Sequence, residues 1–446
     1  MKTLRKIGAV GGAIVIAACW PFATGKIGEA IYTDAILAYD NPVLELELIE
    51  YDRGYLSSNA KSRLSIKDPM LQEQLIADGL PTELIFKHDI SHGFMSLSSV
   101  SVPEITEETQ QALAQIWADG DIPMTLTTES RLSGKTHINL TLAAVNAEVP
   151  DVDEGGVGLF STSPFTLTGD IEPTGESDFV YSMPTLSFTS AADEKLTVNG
   201  LSGQGNGQMN GLFWIGQHQL TLGEIKISSA DQTMFDMNDF RYSVTNSLNK
   251  MTAETEGAST EESATLTTNN VFSFEELIIE DVTVDKGKFD VSFSGLDYES
   301  LSQIFQIIDT PDEMVDEDGV KKLQLAIDLL FAKGMALSLN ELSASVMNGS
   351  FTSQLGLEIE PGVARASQDA SQLLEKLRGK GDVLLTPELV NGNPLLEPQI
   401  DDLIAMGMAE ETEEGYRLMV TIDKGIATLS NGQEVPLFML IAPIMQ

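Results

Sequence analysis

The stretch Val43-Leu44-Glu45-Leu46-Glu47-Leu48-Ile49-Glu50-Tyr51-Asp52-Arg53-Gly54-Tyr55-Leu56-Ser57-Ser58 decides how the chain is read. Leu44, Leu46 and Leu48 alternate with Glu45 and Glu47, and a period of two puts leucines on one face and acids on the other, as a half-buried strand requires. Gly54 interrupts the pattern and permits a bulge or a close backbone approach. Tyr51, Arg53 and Tyr55 are expected on one strand face with the guanidinium stacked between the rings, a contact worth about 0.5 to 2 kcal/mol depending on burial.

The same alternation recurs at 84–90, 136–142, 219–227, 277–284, 288–293, 335–342, 350–359, 416–422 and 425–429. Short connections make most neighbouring pairs antiparallel. Asn431-Gly432 reads as a two-residue type I′ turn, because both residues tolerate positive φ. Glycines at 200–207, 287 and 295 read as turns or strand ends. Apolar residues at three and four spacing predict helices at 104–119, 298–308, 320–333, 366–377 and 398–408. The expected fold is mainly β with packed helices, a β-rich α+β class: an N-terminal membrane anchor followed by a long, curved antiparallel meander. Its expected divisions are a signal anchor at 1–25, a β-rich region at 26–250, a polar loop or linker at 251–268 and an α+β region at 269–446.

With 42% hydrophobic and 21% charged residues the 446-residue chain has enough apolar material to fold, and its length suits two or three cores. Asp and Glu number 67 against 26 Lys and Arg, giving a formal net charge of −41. Nucleic-acid binding needs cations to neutralise phosphates, and no basic stripe follows the first few residues, so that class drops out. The acid is spread along the chain and not gathered in a tail. The single cysteine, Cys19, excludes an intrachain disulfide and a cysteine-based metal site.

Lys2, Arg5 and Lys6 precede an apolar run from Ile7 to Trp20 that fades through Pro21 and Phe22. This is an export signal, and its flanking charge places the N-terminus in the cytoplasm and the body outside. The run would span about 21 to 26 Å as helix against a hydrocarbon core of roughly 30 Å. Three fates compete: cleavage, retention as an anchor, and lipidation at Cys19 within Ile16-Ala17-Ala18-Cys19. Bulky Trp20, Pro21 and Phe22 disfavour cleavage. Retention is the expectation and the lipoprotein the alternative, because Thr24-Gly25-Lys26 leads straight into the body without a flexible tether.

Catalytic templates fail on chemical grounds. Gly134-Lys135-Thr136 resembles the end of a phosphate loop, but Glu129 stands where the first glycine must be. The 200–207 glycines lack dinucleotide spacing, and Gly200-Leu201-Ser202-Gly203 lacks that of a nucleophile elbow. His88 and His92, four apart, lie about 13 Å apart along a strand and read as structural or surface groups. Acids at 151–154 and 312–318 lack the ligand order of a calcium loop and read as solvated loops. No enzymatic activity, cofactor or metal is expected.

Tyr51-Asp52-Arg53-Gly54-Tyr55-Leu56-Ser57-Ser58 resembles the Tyr-x-Arg-Gly-aromatic-x-Ser-Ser segment of the YdgA family of bacterial envelope proteins. Thr24-Gly25-Lys26, His92-Gly93-Phe94, Asn431-Gly432-Gln433 and Pro436-Leu437 are similar to the family's landmarks, with departures at Ser91 and Phe94. The resemblance marks Tyr51, Arg53, Gly54, Tyr55, Ser57, Ser58, His92 and Gly93 as a structural signature. It implies an inner-membrane anchor, a periplasmic body and self-association as a homodimer, with no established reaction. The expected role is contact with other proteins and with the membrane through the N-terminal segment. The alternative is binding of a lipid or other hydrophobic ligand in a β-sheet groove.

Overall fold

The computed structural model describes Thr33 and residues 43–441 except 78–80, 94, 108–109, 111–123, 152–155, 231, 254–260, 309–316, 347, 370 and 392. The anchor expected at 1–25, Cys19, and most of the helix expected at 104–119 and of the acidic loops lie outside the described residues. Among those described, no helix is long and apolar enough to cross a membrane. The fold is mainly antiparallel β. Two compact units divide it: 1–206 with 227–232, and 207–226 with 233–446.

The first unit contains β1 (Leu44–Arg53), β2 (Ser57–Ile66), helix α1 (Pro69–Ala77), β3 (Glu83–His92), β4 (Ser96–Glu104), β5 (Met124–Arg131), β6 (Thr136–Leu142), β7 (Asn146–Asp151), β8 (Gly156–Thr162), β9 (Phe165–Ile171) and β10 (Ser177–Thr189). Each of β1 to β5 pairs antiparallel with its successor, and β6 pairs with β9, which pairs with β10. The alternation that opens the chain thus forms β1, bulged between Leu48 and Glu50. Glu104, expected to open a helix, instead closes β4, where Lys61 and Lys87 reach it at 3.1 Å each. Ala60, Ile90 and Leu97 form a buried cluster against which Tyr51 packs.

β11 (Glu194–Asn210) and β12 (Phe213–Ser229) are each divided between the units. The glycines at 200–207, expected as a turn, lie inside β11. Side chains at Gly203 and Gly205 would run into the rings of Tyr181 and Phe179, so these glycines leave room for aromatic cover from the neighbouring strand.

In the second unit follow β13 (Gln232–Ala253), β14 (Glu261–Ile279), β15 (Val282–Asp297), α2 (Tyr298–Ile308), α3 (Glu317–Ala332), β16 (Met335–Val346), β17 (Gly349–Ile359), α4 (Ser371–Lys376), β18 (Leu377–Leu385), α5 (Pro387–Asn391), α6 (Glu397–Ala405), β19 (Glu410–Thr412), β20 (Gly415–Asp423), β21 (Ile426–Leu429), β22 (Glu434–Pro436) and α7 (Leu437–Ile441). The flanks of the 251–268 stretch pair in register as far as Ala253 opposite Glu261, so they extend one long hairpin inside this unit. Asp297 caps α2 through Ser300 and takes an ion pair from Lys333 at 2.5 Å. Leu266, Leu296 and Leu330 form the core between these helices and the sheet.

Three expectations are corrected here. The strand read at 277–284 is two strands: Ile279 pairs with Val282 around a two-residue loop, with Glu280 at φ 53°. Apolar residues on both sides of Glu280-Asp281 hid this turn. The helix read at 366–377 shrinks to Ser371–Lys376, because Leu377 opens β18 opposite Ile359. The loop at Asn431-Gly432 has three residues: Leu429 N–H donates to Gln433 O, and Gly432 alone takes positive φ, 79°.

Candidate functional site

The signature residues, distant in sequence, meet at adjacent hairpin tips of the first unit. β1 ends at Arg53, which pairs with Ser58 across the first tip. Gly54 N–H donates to Ser57 O at 2.8 Å, and Gly93 N–H donates to Ser96 O at 2.8 Å in the next tip. A Cβ on Gly54 would sit 2.6 Å from Ser57 O and one on Gly93 2.9 Å from Ser96 O, so glycine is required at both by close backbone approach. Tyr55 therefore leaves the strand. It is 50% exposed in the tip and does not share the strand face that carries Tyr51 and Arg53.

His92 ties the two tips together. Its backbone N–H donates to Leu56 O at 2.8 Å, and its Nδ1 lies 3.2 Å from Tyr55 O. A carbonyl only accepts, so Nδ1 carries a proton, and in the neutral imidazole Nε2 is then the acceptor. The group facing Nε2 is the Ser58 hydroxyl at 2.8 Å, which donates. That order of donors is the one a serine nucleophile and its base would use. Here, however, Ser58 is 1% exposed and His92 7%, so the pair presents no reacting atom to solvent. It acts as a clasp.

A second histidine repeats the arrangement. His88 Nε2 lies 2.8 Å from Ser62 Oγ and Nδ1 2.7 Å from Ser101 Oγ, which satisfies either neutral tautomer. Burial pushes its imidazole down to about 4, so it is neutral near pH 7.

Farther along the same tips lies a charged cleft of about 410 Å³ lined by Glu129, Arg131, Lys135, His137 and Asp170. Register puts His137 between Glu129 and Asp170. His137 Nδ1 lies 2.9 Å from Asp170 Oδ1, and Lys135 reaches Glu172 at 2.9 Å. The His137 hydrogen bond holds the Asp170 carboxyl below the usual carboxylate range. Gly134-Lys135-Thr136 is here the turn of this hairpin, with Arg131 N–H donating to Lys135 O at 2.9 Å. Among the described residues no group of His, Cys, Asp or Glu is arranged to hold a metal ion.

Sequence reading marked all eight signature residues brought together here but missed Leu56, Met95 and Ser96. The signal was a repeat: Gly54-Tyr55-Leu56-Ser57 and Gly93-Phe94-Met95-Ser96 share the order glycine, aromatic, large apolar, serine. Tips of the same build expose Leu56 at 61% and Met95 at 58%.

No curated protein matches the chain, and no solved structure does. A family model does, over residues 1–438, described as bacterial protein of unknown function, DUF945, and on that coverage the chain belongs to this family.

Proposed function

We propose that the protein is a non-enzymatic component of the bacterial envelope, held on the periplasmic side of the inner membrane by its N-terminal segment and working through surface contacts, self-association included. The observation that carries this reading is the clasp itself: Ser58 and His92 are buried, while the tips they fasten turn Tyr55, Leu56 and Met95 outward. Chemistry would need the reverse exposure. In this reading the signature is that of the YdgA family. Met234, Ile279 and Val282, exposed together where Glu280 N–H donates to Met234 O, offer an apolar patch for a second copy. Native mass measurement on the intact, detergent-solubilised chain is expected to give a multiple of 48.2 kDa. A strictly monomeric species at every concentration removes self-association. Cys19→Ala should leave membrane association and location unchanged; loss of the first 18 residues with added acyl mass in the parent would establish the lipoprotein instead.

A second reading, lipid or hydrophobic-ligand binding along the sheet, is favoured by an aromatic ladder in the second unit. Tyr242 stacks on Phe272 with ring centroids 4.6 Å apart, and Phe272 meets Phe289 at 5.9 Å. Phe289 is 38% exposed. Lipid co-purifying with the parent protein and released by Phe289→Asp would support this reading; lipid-free protein prepared from membranes would oppose it.

A further inference from the structure

The tips of the first unit form a ledge. Its members touch in sequence: His92 N–H donates to Leu56 O, Leu132 N–H donates to Met95 O at 3.1 Å, and Gly134 abuts Pro173. The three stretches 53–58, 91–97 and 130–137 contain no Asp or Glu, in a chain where those residues number 67 of 446. They do contain Arg53, Arg131 and Lys135. Lys135 is engaged by Glu172, Arg53 is half-buried with an interaction of its own, Arg131 is exposed, and the acids resume at the fourth tip with Glu172 and Glu176.

Loops are ordinarily kept out of hydrocarbon because their unpaired N–H and C=O groups would lose water without compensation. These tips lower that cost. Gly54 and Gly93 N–H are paired with Ser57 and Ser96 O, and the carbonyls of Tyr55, Leu56 and Met95 accept from His92 Nδ1, His92 N–H and Leu132 N–H. The large side chains that the described residues of these tips turn outward are Tyr55, Leu56 and Met95, with Arg131 exposed beside them.

From this geometry we propose that the ledge docks on a lipid bilayer surface, with Leu56 and Met95 entering the acyl boundary, Tyr55 at headgroup level, and Arg53 and Arg131 facing lipid phosphates. The proposal rests on reading the ledge as a contact surface and names its partner. A protein partner would be expected to use open backbone groups for directional hydrogen bonds, and here the N–H groups of Gly54 and Gly93 and the carbonyls of Tyr55, Leu56 and Met95 are already taken.

The test uses the full chain with Cys19→Ala, carrying a fluorophore on Leu56→Cys, on Met95→Cys or, as control, on Asn431→Cys, which lies in an exposed turn. Each is reconstituted into phosphatidylcholine vesicles with and without phosphatidylglycerol, using lipids brominated on the acyl chain. Fluorescence should be lost at 56 and 95 and retained at 431, and Arg53→Gln with Arg131→Gln should reduce the loss in the anionic vesicles. Unquenched labels at 56 and 95 overturn the proposal. If they are unquenched by lipid but crosslink to a second copy, the contact reading survives with another partner. If they stay solvent-exposed under every condition, the ledge is no contact surface either.

Discussion

Ser58 and His92 stand 34 residues apart and share a buried hydrogen bond of 2.8 Å, with the serine donating to Nε2. In the neutral imidazole that direction follows from Tyr55 O, which only a protonated Nδ1 can serve. Ser58→Ala should leave Nε2 buried without a donor and cost about 1 to 3 kcal/mol. A urea titration followed by tyrosine and tryptophan fluorescence would measure it; an unchanged midpoint would mean that the pair contributes nothing to the fold.

Gly54→Ala and Gly93→Ala force a methyl against a backbone carbonyl and should each cost about 1 to 3 kcal/mol. Gly356→Ala is the matched control, because a Cβ there meets nothing within 4 Å. Equal thermal midpoints for all three variants would refute the close-approach argument.

Acid should destabilise the first unit through His88. The imidazole's pKa falls from its ordinary 6.5 when unfolded to about 4 when folded, so between those values the unfolded chain binds the extra proton. Stability is therefore fully present above pH 6.5, declines as pH falls toward 4 and is constant with respect to this group below that. Allowing for partial solvent screening, the loss is about 2 kcal/mol. His88→Gln should flatten the unfolding midpoint measured across that window.

Asp297→Ala should strip α2 of its cap and leave Lys333 unanswered, at a cost of about 2 to 4 kcal/mol. Burial pushes the Asp297 carboxyl up, but Lys333 and Ser300 outweigh it and hold it below the usual range. Its contribution is accordingly present above the ordinary carboxylate pKa and lost as pH falls through the lowered one. Hydrogen exchange of the α2 amides in the variant reads the lost cap directly; unchanged protection would assign Asp297 no capping role.

Period-two alternation made β1, β6 and β17 legible because each has one apolar and one polar face. The helix at 298–308 matched its observed bounds for the same kind of reason, its three and four spacing being uninterrupted. The 277–279 and 282–284 strands merged in the reading because Glu280-Asp281 carries none of the residues that usually announce a turn. The Ser58–His92 clasp stayed hidden for another reason: its partners lie on different strands, and only the diagonal across an antiparallel pair joins them. The residues were visible as a signature, but their contact was not.

The buried face of β2 is Ser58, Ala60, Ser62, a run of small side chains with little shape to distinguish one alignment from another. The histidines supply the distinction. Ser58 meets His92 and Ser62 meets His88 along parallel diagonals, each pair of like residues four positions apart. Sliding β2 by two residues in one direction would set His92 against Ala60 and His88 against Leu64. Sliding it by four in that direction would satisfy His92 with Ser62 but leave His88 facing Ile66. Only the native alignment closes both pairs, so the two histidines work as a two-key lock, rejecting slipped sheets that apolar burial alone would tolerate.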